Sequence, residues 1–351
     1  METLAVKYRP KDFDEVVGQE RVVAVLRNQL KNNDFVNAYL FSGPAGTGKT
    51  TIARIFAKAL NKGQGTPIEI NAASNNGVDD VRALIDESKY KPMVGNYKVF
   101  IIDECHMLSN SAWNAMLKLL EEPPSQTIFL FCTTDPQKIP ATIISRVQRF
   151  ALHKIDDKFI MGNLKAIIAK EKTANGAIKD IDDNALAYIV KQANGGMRDA
   201  ISLMQKAMSF GTTNPTITLD DVYSCLGAVS LSTLMNVYQD ILIKDVPAKE
   251  LVVALEGLAK AGKDMKQVVK DFLNLSVELV KYYLTGDLAL TTLPDDYGDA
   301  LAGMAKWPGI LSDTETIMDA MIRLSNDIKY DDFPNPMVDA CFIGLKGKLE
   351  K

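Results

Sequence analysis

Ala38-Tyr-Leu-Phe-Ser-Gly43-Pro-Ala-Gly-Thr-Gly-Lys-Thr50 is the stretch on which the fold turns. An apolar run precedes its glycines, and an amphipathic run, Ile52 to Leu60, follows them. Strand, loop and helix with G-x-x-x-x-G-K-[ST] spacing make a phosphate-binding loop. The loop comprises Gly43, Pro44, Ala45, Gly46, Thr47, Gly48, Lys49 and Thr50, with Thr51 just inside the helix. Its glycines let the backbone curl until several N–H groups point at one phosphate chain. The helix start near Lys49 adds its positive dipole end. Lys49 can reach the β- and γ-phosphates of a nucleoside triphosphate, and the Thr50 hydroxyl can hold Mg²⁺.

The chain has 351 residues, which suggests two or three domains at roughly 100–200 residues each. Hydrophobic residues make up 47% and charged residues 24%, an ordinary globular balance. A net charge of −4 excludes a bulk polycation, so any nucleic-acid contact must come from a local patch. Cys105, Cys132, Cys225 and Cys341 lie far apart with no C-x-x-C. That argues against a zinc module or a disulfide framework and fits a reducing cytosol. The N-terminus, Met1 to Pro10, has no apolar signal-peptide core, and no apolar run approaches the roughly 18 residues of a membrane span. The expectation is a soluble, cytoplasmic protein with no membrane partner.

Up to about residue 155, short β-rich runs alternate with helical patterns. Strands are expected at Ala38–Ser42, Ile68–Asn71, Lys98–Ile102, Ile128–Thr133 and Gln148–Leu152, and helices at Glu20–Lys31, Lys49–Leu60, Val78–Lys89 and Ser111–Leu120. Alternation of this kind predicts an α/β domain, a parallel sheet with helices on both faces. After Lys154-Ile-Asp-Asp157 the chain reads as helix almost throughout. Three helices fit before residue 212, the last from Met197 to Phe210 after Gly195-Gly196. Gly211-Thr-Thr-Asn-Pro215 is turn-rich and marks a junction. Beyond Thr218, apolar residues at helical spacing, such as Leu251, Leu255 and Leu258, read as core. The division is 1–155, 156–213 and 214–351.

Val99-Phe-Ile-Ile-Asp103-Glu104 is a second motif, a buried strand ending in two carboxylates. Its end falls at the carboxyl edge of the sheet, where open α/β sheets bind ligands. Asp103 is placed to hold Mg²⁺ through water, and Glu104 to orient and deprotonate an attacking water. Two acids after a strand can equally cap the next helix. Joined to the phosphate loop upstream, they point to ATP hydrolysis. The strand Ile128–Thr133 delivers the Thr134 hydroxyl to the same edge. Arg146 follows a short helical turn, and spacing alone leaves open whether it is catalytic or a surface arginine.

These residues together resemble the clamp-loader branch of the AAA+ ATPases, especially its bacterial DNA polymerase III gamma/tau type. The phrases that carry the resemblance run in the family's order. They are Lys7-Tyr-Arg-Pro10, Phe13-Asp-Glu-Val-Val-Gly-Gln19, the phosphate loop and Ile102-Asp-Glu-Cys-His-Met-Leu-Ser109. Leu117-Lys-Leu-Leu-Glu-Glu-Pro-Pro124, Thr133-Thr-Asp-Pro-Gln-Lys138, Ser145-Arg146 and Gly195-Gly-Met-Arg-Asp-Ala200 follow. The match is dense from residue 5 to about 210 and architectural beyond.

The resemblance implies a P-loop ATPase domain, a small helical lid and an all-α collar that holds subunits in a ring. It implies ATP and Mg²⁺ as ligands. Arg146 takes the place of an arginine finger acting in trans on a neighbour's ATP. Arg198 matches the sensor 2 arginine, Thr134 matches sensor 1, and Val16, Val17, Tyr8 and Arg9 lie where the family cradles adenine. A finger in trans makes hydrolysis conditional on assembly. Expected partners are other loader subunits in a hetero- or homo-pentameric ring, a sliding clamp and primer–template DNA. ATP binding would open and place the clamp, and DNA-triggered hydrolysis would release it. The family's four-cysteine zinc module is replaced here by the short link Leu60–Pro67, so no zinc is expected. Ser145-Arg146-Val147 stands where Ser-Arg-Cys is usual. The end at Lys351 suggests a compact, gamma-like subunit of a phage or another streamlined replication system.

For DNA, Ser74, Asn75 and Asn76 can donate to phosphate at an exposed helix start, with Arg82 one turn on. Ordinary N-capping by Ser or Asn is an equal reading. Asn114 and Lys118 are weaker candidates, and His106 reads as structural. Tyr90–Gly95 is an apolar, turn-prone tip suited to a clamp. Two other readings remain. A recombination or branch-migration AAA+ motor would lack the Glu-Glu-Pro-Pro and Thr-Thr-Asp-Pro-Gln-Lys phrases. A mainly structural ring subunit would carry a damaged phosphate loop.

Overall fold

The computed structural model describes residues 2–174, 179–210, 215–243, 246–291, 293 and 297–349. The chain divides into two compact units, Met1–Ser209 and Phe210–Lys351.

The first unit is built on five parallel strands: β1 (Ala38–Ser42), β2 (Ile68–Asn71), β3 (Lys98–Asp103), β4 (Thr127–Thr133) and β5 (Gln148–Ala151), in the order β2-β3-β4-β1-β5. Position in the sheet follows from sequence. Every residue of Ala-Tyr-Leu-Phe-Ser in β1 and of Thr-Ile-Phe-Leu-Phe-Cys-Thr in β4 is buried, as strands covered on both faces require. β2 carries polar residues at alternate positions, β5 opens with Gln148-Arg149, and the two lie at the edges.

After a short N-terminal helix, α1 (Leu4–Lys7), helices α2 (Glu20–Asn32), α3 (Lys49–Leu60), α4 (Val78–Ser88), α5 (Asn110–Glu121) and α6 (Ala141–Ile144) accompany the sheet. Because side chains alternate along a strand, the sheet has two separate cores. Tyr39, Phe41, Ile101, Leu130 and Cys132 pack with Leu26 of α2 and Ile52, Phe56 and Leu60 of α3. Leu40, Phe100, Ile102, Phe129 and Phe131 face the other way, onto Val81 and Leu84 of α4 and Trp113, Met116 and Leu120 of α5. The expected elements sit within a residue or so of the observed ones. Helix α5 starts at Asn110 because the Ser109 hydroxyl accepts from Ala112 N at 3.2 Å and caps it.

Three more helices complete this unit: α7 (Asp157–Ala174), α8 (Asp183–Gln192) and α9 (Met197–Met208). Each buries a stripe at three- and four-residue spacing, such as Ile160, Leu164 and Ile167 in α7 and Ala200, Ile201, Met204 and Ala207 in α9. Gly195, between α8 and α9, has φ +84, and a Cβ there would lie 2.5 Å from Lys154 Cβ. Only glycine fits that turn. The N-terminal segment ties to the three-helix group. Leu4 N donates to Gln205 Oε1 at 2.8 Å, and Tyr8 Oη donates to Glu171 Oε1 at 2.6 Å.

The second unit is helical: α10 (Leu219–Leu226), α11 (Leu231–Leu242), α12 (Ala248–Lys260), α13 (Met265–Thr285), α14 (Gly298–Ala305), α15 (Ile310–Asp327) and α16 (Asn335–Leu349). Its core includes Leu251, Leu255, Leu258, Val268 and Phe272, as the helical spacing predicts. Phe272 is central, with Tyr238 at 4.8 Å and Phe342 at 5.0 Å between ring centroids. Of the expected junction Gly211–Pro215, residues 211–214 lie outside the described residues. No helix among the described residues is long and apolar enough to cross a membrane.

Candidate nucleotide-binding site

The connections after β1 and β4 run to opposite sides of the sheet, toward β2 and β5 respectively. Such a divergence opens a crevice beyond the carboxyl ends of the strands. The phosphate loop leaves β1 here, Asp103 ends β3, and Thr134 follows β4. The register aligns Ser42 with Thr133 and Ile102 with Phe131, so the three strand ends finish nearly level.

A cavity of about 550 Å³ occupies the crevice. Ala45 to Thr51, Asp103 and Glu104 line one end. Tyr8, Arg9, Val16 and Val17 line it from the N-terminal segment, and Arg198 from α9. Residues scattered from 8 to 198 thus meet around one space. Gly43 and Pro44 contribute through their carbonyls, which accept from Lys49 Nζ at 2.9 and 2.8 Å. Lys49 is only 6% exposed, and burial pulls its ammonium below the usual lysine range, against the opposing pull of Glu104 and Asp103. A desolvated ammonium held by two neutral carbonyls can turn toward phosphate oxygens, which compensate its charge better.

The loop itself needs its glycines. Gly46 has φ +73, and a Cβ there would lie 3.0 Å from Gly196 Cα. Met197 N donates to Gly46 O at 3.0 Å, so the start of α9 rests directly on the loop. That contact places Arg198 at the cavity. Arg198 is exposed, and its guanidinium has no hydrogen-bond or ion-pair partner among the described residues.

Thr50 Oγ1 donates to Asp103 Oδ2 at 2.9 Å, and Glu104 N donates to Asp103 Oδ1 at 3.0 Å. A hydroxyl and a carboxylate on adjoining elements suit a hard cation such as Mg²⁺, which takes few protein oxygens and keeps waters. Among the described residues no group of three or more His, Cys, Asp or Glu could hold a metal ion. Glu104 sits in the left-handed region at φ 48, unusual for a residue with a side chain. Its Oε2 accepts from Thr134 Oγ1 at 3.1 Å. Beneath them the buried thiols of Cys105 and Cys132 are pushed well above the ordinary cysteine range by desolvation and stay neutral.

Arg146 does not line this cavity. It ends the turn after α6, with Nη2 at 2.6 Å from Glu121 Oε1 and Nη1 at 2.7 Å from Thr142 O. The capping alternative for residues 74–76 does not hold. The N-cap of α4 is Gly77, whose N–H is met by Asp80 Oδ2 at 3.1 Å. Ser74 Oγ and Asn75 Nδ2 instead donate to Asn71 O at 3.1 and 3.2 Å, and Ser74, Asn75 and Asn76 are all exposed. Arg82 is paired with Asp79 on its own helix at 3.0 Å. Asn114 and Lys118 are exposed on α5, away from the cavity lining. In the tip Tyr90–Gly95, Tyr90, Met93 and Val94 are exposed.

Sequence reasoning missed two features. Glu171 receives both Lys7 Nζ (2.5 Å) and Tyr8 Oη, tying the N-terminal wall of the cavity to α7. His106 lies against Glu104 and Thr133 rather than in the general core. Neither partner pair has a local spacing signal, since each joins distant segments or a turn whose direction is not readable.

A parallel sheet in this order, a phosphate loop after the first strand, two acids after the third and a three-helix lid resting on the loop define an AAA+ ATPase fold. The comparisons agree. The family described as DNA polymerase III, delta subunit, matches residues 18–72 and 69–156, and that described as DNA polymerase III clamp loader subunit, ATPase lid domain, matches residues 160–213. The chain belongs to the clamp-loader family of AAA+ ATPases. It is 41% identical over 299 residues to the DNA polymerase III subunit tau of Bacillus subtilis, covering 78% of this chain and 51% of that protein. It is 35% identical over 318 residues to the Escherichia coli DNA polymerase III subunit tau, covering 83% and 48%. The chain thus spans about half the length of these curated relatives. Among solved structures, the Thermotoga maritima RuvB Holliday junction branch migration motor aligns with a TM-score of 0.51 at 22% identity, covering 71% of this chain and 85% of that one. That likeness concerns the fold alone.

Proposed function

We propose that this chain is an ATP-hydrolysing subunit of a DNA polymerase sliding-clamp loader. ATP binding would drive clamp opening and placement on primer–template DNA, and DNA-triggered hydrolysis would release the clamp. The observation that carries the reading is the convergence of Lys49, Thr50, Asp103, Glu104 and Arg198 on one cavity, in a chain of clamp-loader family. An intact set of this kind speaks against a purely structural ring subunit.

In this reading the loop N–H groups and Lys49 bind the β- and γ-phosphates, and Thr50 and Asp103 hold Mg²⁺. When bound, Mg²⁺ spreads and neutralises charge on the phosphates. Glu104 takes a proton from the water that attacks the γ-phosphorus, with Thr134 holding one of its oxygens. Arg198 reaches the γ-phosphate from the lid, so closure of α9 on the loop and nucleotide binding favour one another. Tyr8, Arg9, Val16 and Val17 wall the base side. Arg146, matched by the resemblance to a finger acting in trans, does not line its own cavity, which is consistent with service to a neighbour's site, and in this reading hydrolysis waits for ring assembly. Residues 1–155 form the ATPase domain, 156–213 the lid and 214–351 the collar. Ser74, Asn75 and Asn76 remain the DNA candidates, and the 90–95 tip the clamp candidate.

The test is steady-state ATPase activity of the purified assembly, with and without clamp and primed DNA. Stimulation by both supports the reading; an activity indifferent to either overturns it.

A further inference from the structure

We propose that His106 is the positioning residue for Glu104, fixing which carboxylate oxygen serves as base; this rests on the hydrolytic reading above. After β3 the backbone passes through Glu104 in the left-handed region and then a single 3₁₀ turn, Cys105–Met107. That turn brings the imidazole back beside the carboxylate two residues earlier. His106 Nδ1 lies 3.4 Å from Glu104 Oε2 and 3.2 Å from Thr133 Oγ1, with the side chain 11% exposed.

The proton on the ring can be assigned from its surroundings. A bare Nδ1 lone pair would face a carboxylate oxygen at 3.4 Å, which is repulsive in a poorly solvated site. A proton on Nδ1, pointing between Oε2 and Thr133 Oγ1, is attractive to both. Thr133 Oγ1 has the capacity for this, since a hydroxyl oxygen carries two lone pairs and its other donor is Asp135 N at 3.0 Å. Oε2 then accepts from Thr134 Oγ1 at 3.1 Å on one side and meets the imidazole N–H electrostatically, at 3.4 Å, on the other. Oε1 has no protein partner among the described residues, while Glu104 lines the cavity. The arrangement anchors one oxygen and presents the other to water.

The bland alternative is a histidine that merely fills space beneath the strand ends. The two differ in what a hydrogen-bonding substitute can restore. His106→Asn keeps an N–H near Nδ1, whereas His106→Leu keeps bulk and loses the donor. The measurement is ATPase kinetics of the complex purified through the full-length chain, with ATP affinity from a fluorescent nucleotide and melting temperature for each variant. His106→Leu is expected to lower kcat roughly tenfold, inside the hundredfold that a misplacement of about 1 Å can cost. KM and ATP affinity should stay within about twofold, and His106→Asn should recover most of the rate. A His106→Leu rate within about twofold of the parent overturns the proposal. So does a parallel fall in kcat, affinity and melting temperature that His106→Asn does not reverse. Glu104→Gln is the control. If it leaves hydrolysis intact, the hydrolytic reading fails and takes this inference with it; if it abolishes hydrolysis while His106→Leu does not slow it, only this inference fails.

Discussion

Arg146 Nη2 stands 2.6 Å from Glu121 Oε1, joining the turn after α6 to the last turn of α5. The guanidinium proposed to serve a neighbouring site is thus paired within its own chain, with the two side chains 34% and 51% exposed. An exposed pair of this kind is worth about 0.2–1 kcal/mol and is weakened by salt. Glu121→Gln should therefore promote assembly-dependent hydrolysis by no more than about fivefold. Titrating ATPase rate against subunit concentration at low and high salt checks this, and the difference between the two chains should shrink as salt rises.

Arg146→Ala should abolish hydrolysis in the assembly, by a factor on the order of 10³ or more, while ATP binding stays close to the parent. Equilibrium nucleotide binding beside single-turnover hydrolysis separates the two. Lost binding would undo the assignment of Arg146 to a neighbour's site.

Thr50→Val deletes the hydroxyl that bonds Asp103 at 2.9 Å. Nucleotide affinity should fall in the presence of Mg²⁺ and change little in its absence. Calorimetry with and without EDTA reads this directly. A loss of equal size in both conditions would mean that the hydroxyl shapes the loop rather than a metal site.

Gly46→Ala places a Cβ 3.0 Å from Gly196 Cα at a backbone angle of φ +73. Backbone on both sides cannot yield as a flexible side chain would, so the lid must lift from the loop. Lower thermal stability together with at least tenfold weaker ATP binding is expected, the latter equivalent to about 1.4 kcal/mol. Gly48→Ala meets nothing within 4 Å and carries only backbone strain at φ +101, so its loss of stability should be smaller.

The Lys7–Tyr8–Glu171 network should make stability depend on pH at both ends. Hydrogen bonds from Lys7 and Tyr8 hold the Glu171 carboxyl below the usual carboxylate range. Its contribution is therefore present above the unfolded value of about 4.3 and is lost as pH falls through the folded value. Burial first, then the Glu171 bond, raises Tyr8 to about 12. That contribution is complete below pH of about 10 and is lost as pH rises toward 12. Tyr8→Phe should cost about 1–2 kcal/mol near neutrality and flatten both limbs. Denaturant unfolding at pH 3, 7 and 11 is the check, and an unchanged profile in Tyr8→Phe would remove the network from the stability of the lid.

The sheet was legible because burial on two faces demands unbroken apolar runs. Tyr39 to Phe41 and Ile128 to Cys132 read as buried strands, and the sheet order places them at its centre. The glycine-rich loop and the position of Asp103–Glu104 at a strand end were legible for a similar reason, since curled backbone needs glycine at set positions and an apolar run marks the strand that the two acids terminate. The start of α4 was less so. Gly77 caps α4 with help from Asp80, and a chain rich in Ser and Asn just upstream gives no local sign that these residues are spared that task.

What the amino-acid sequence determined by itself was therefore the set of local elements, the glycine-rich loop after the first strand and the side chains set at the strand ends. These depend on interactions within a few residues and on the period of apolar side chains. Tertiary structure decided the rest: that Met197 rests on Gly46 and so brings Arg198 to the cavity, that Tyr8 is tied to Glu171, and that His106 turns back on Glu104. Such contacts join segments up to 163 residues apart or hinge on one left-handed residue. Their directions are set by packing over the whole unit, and no spacing rule along the chain encodes them.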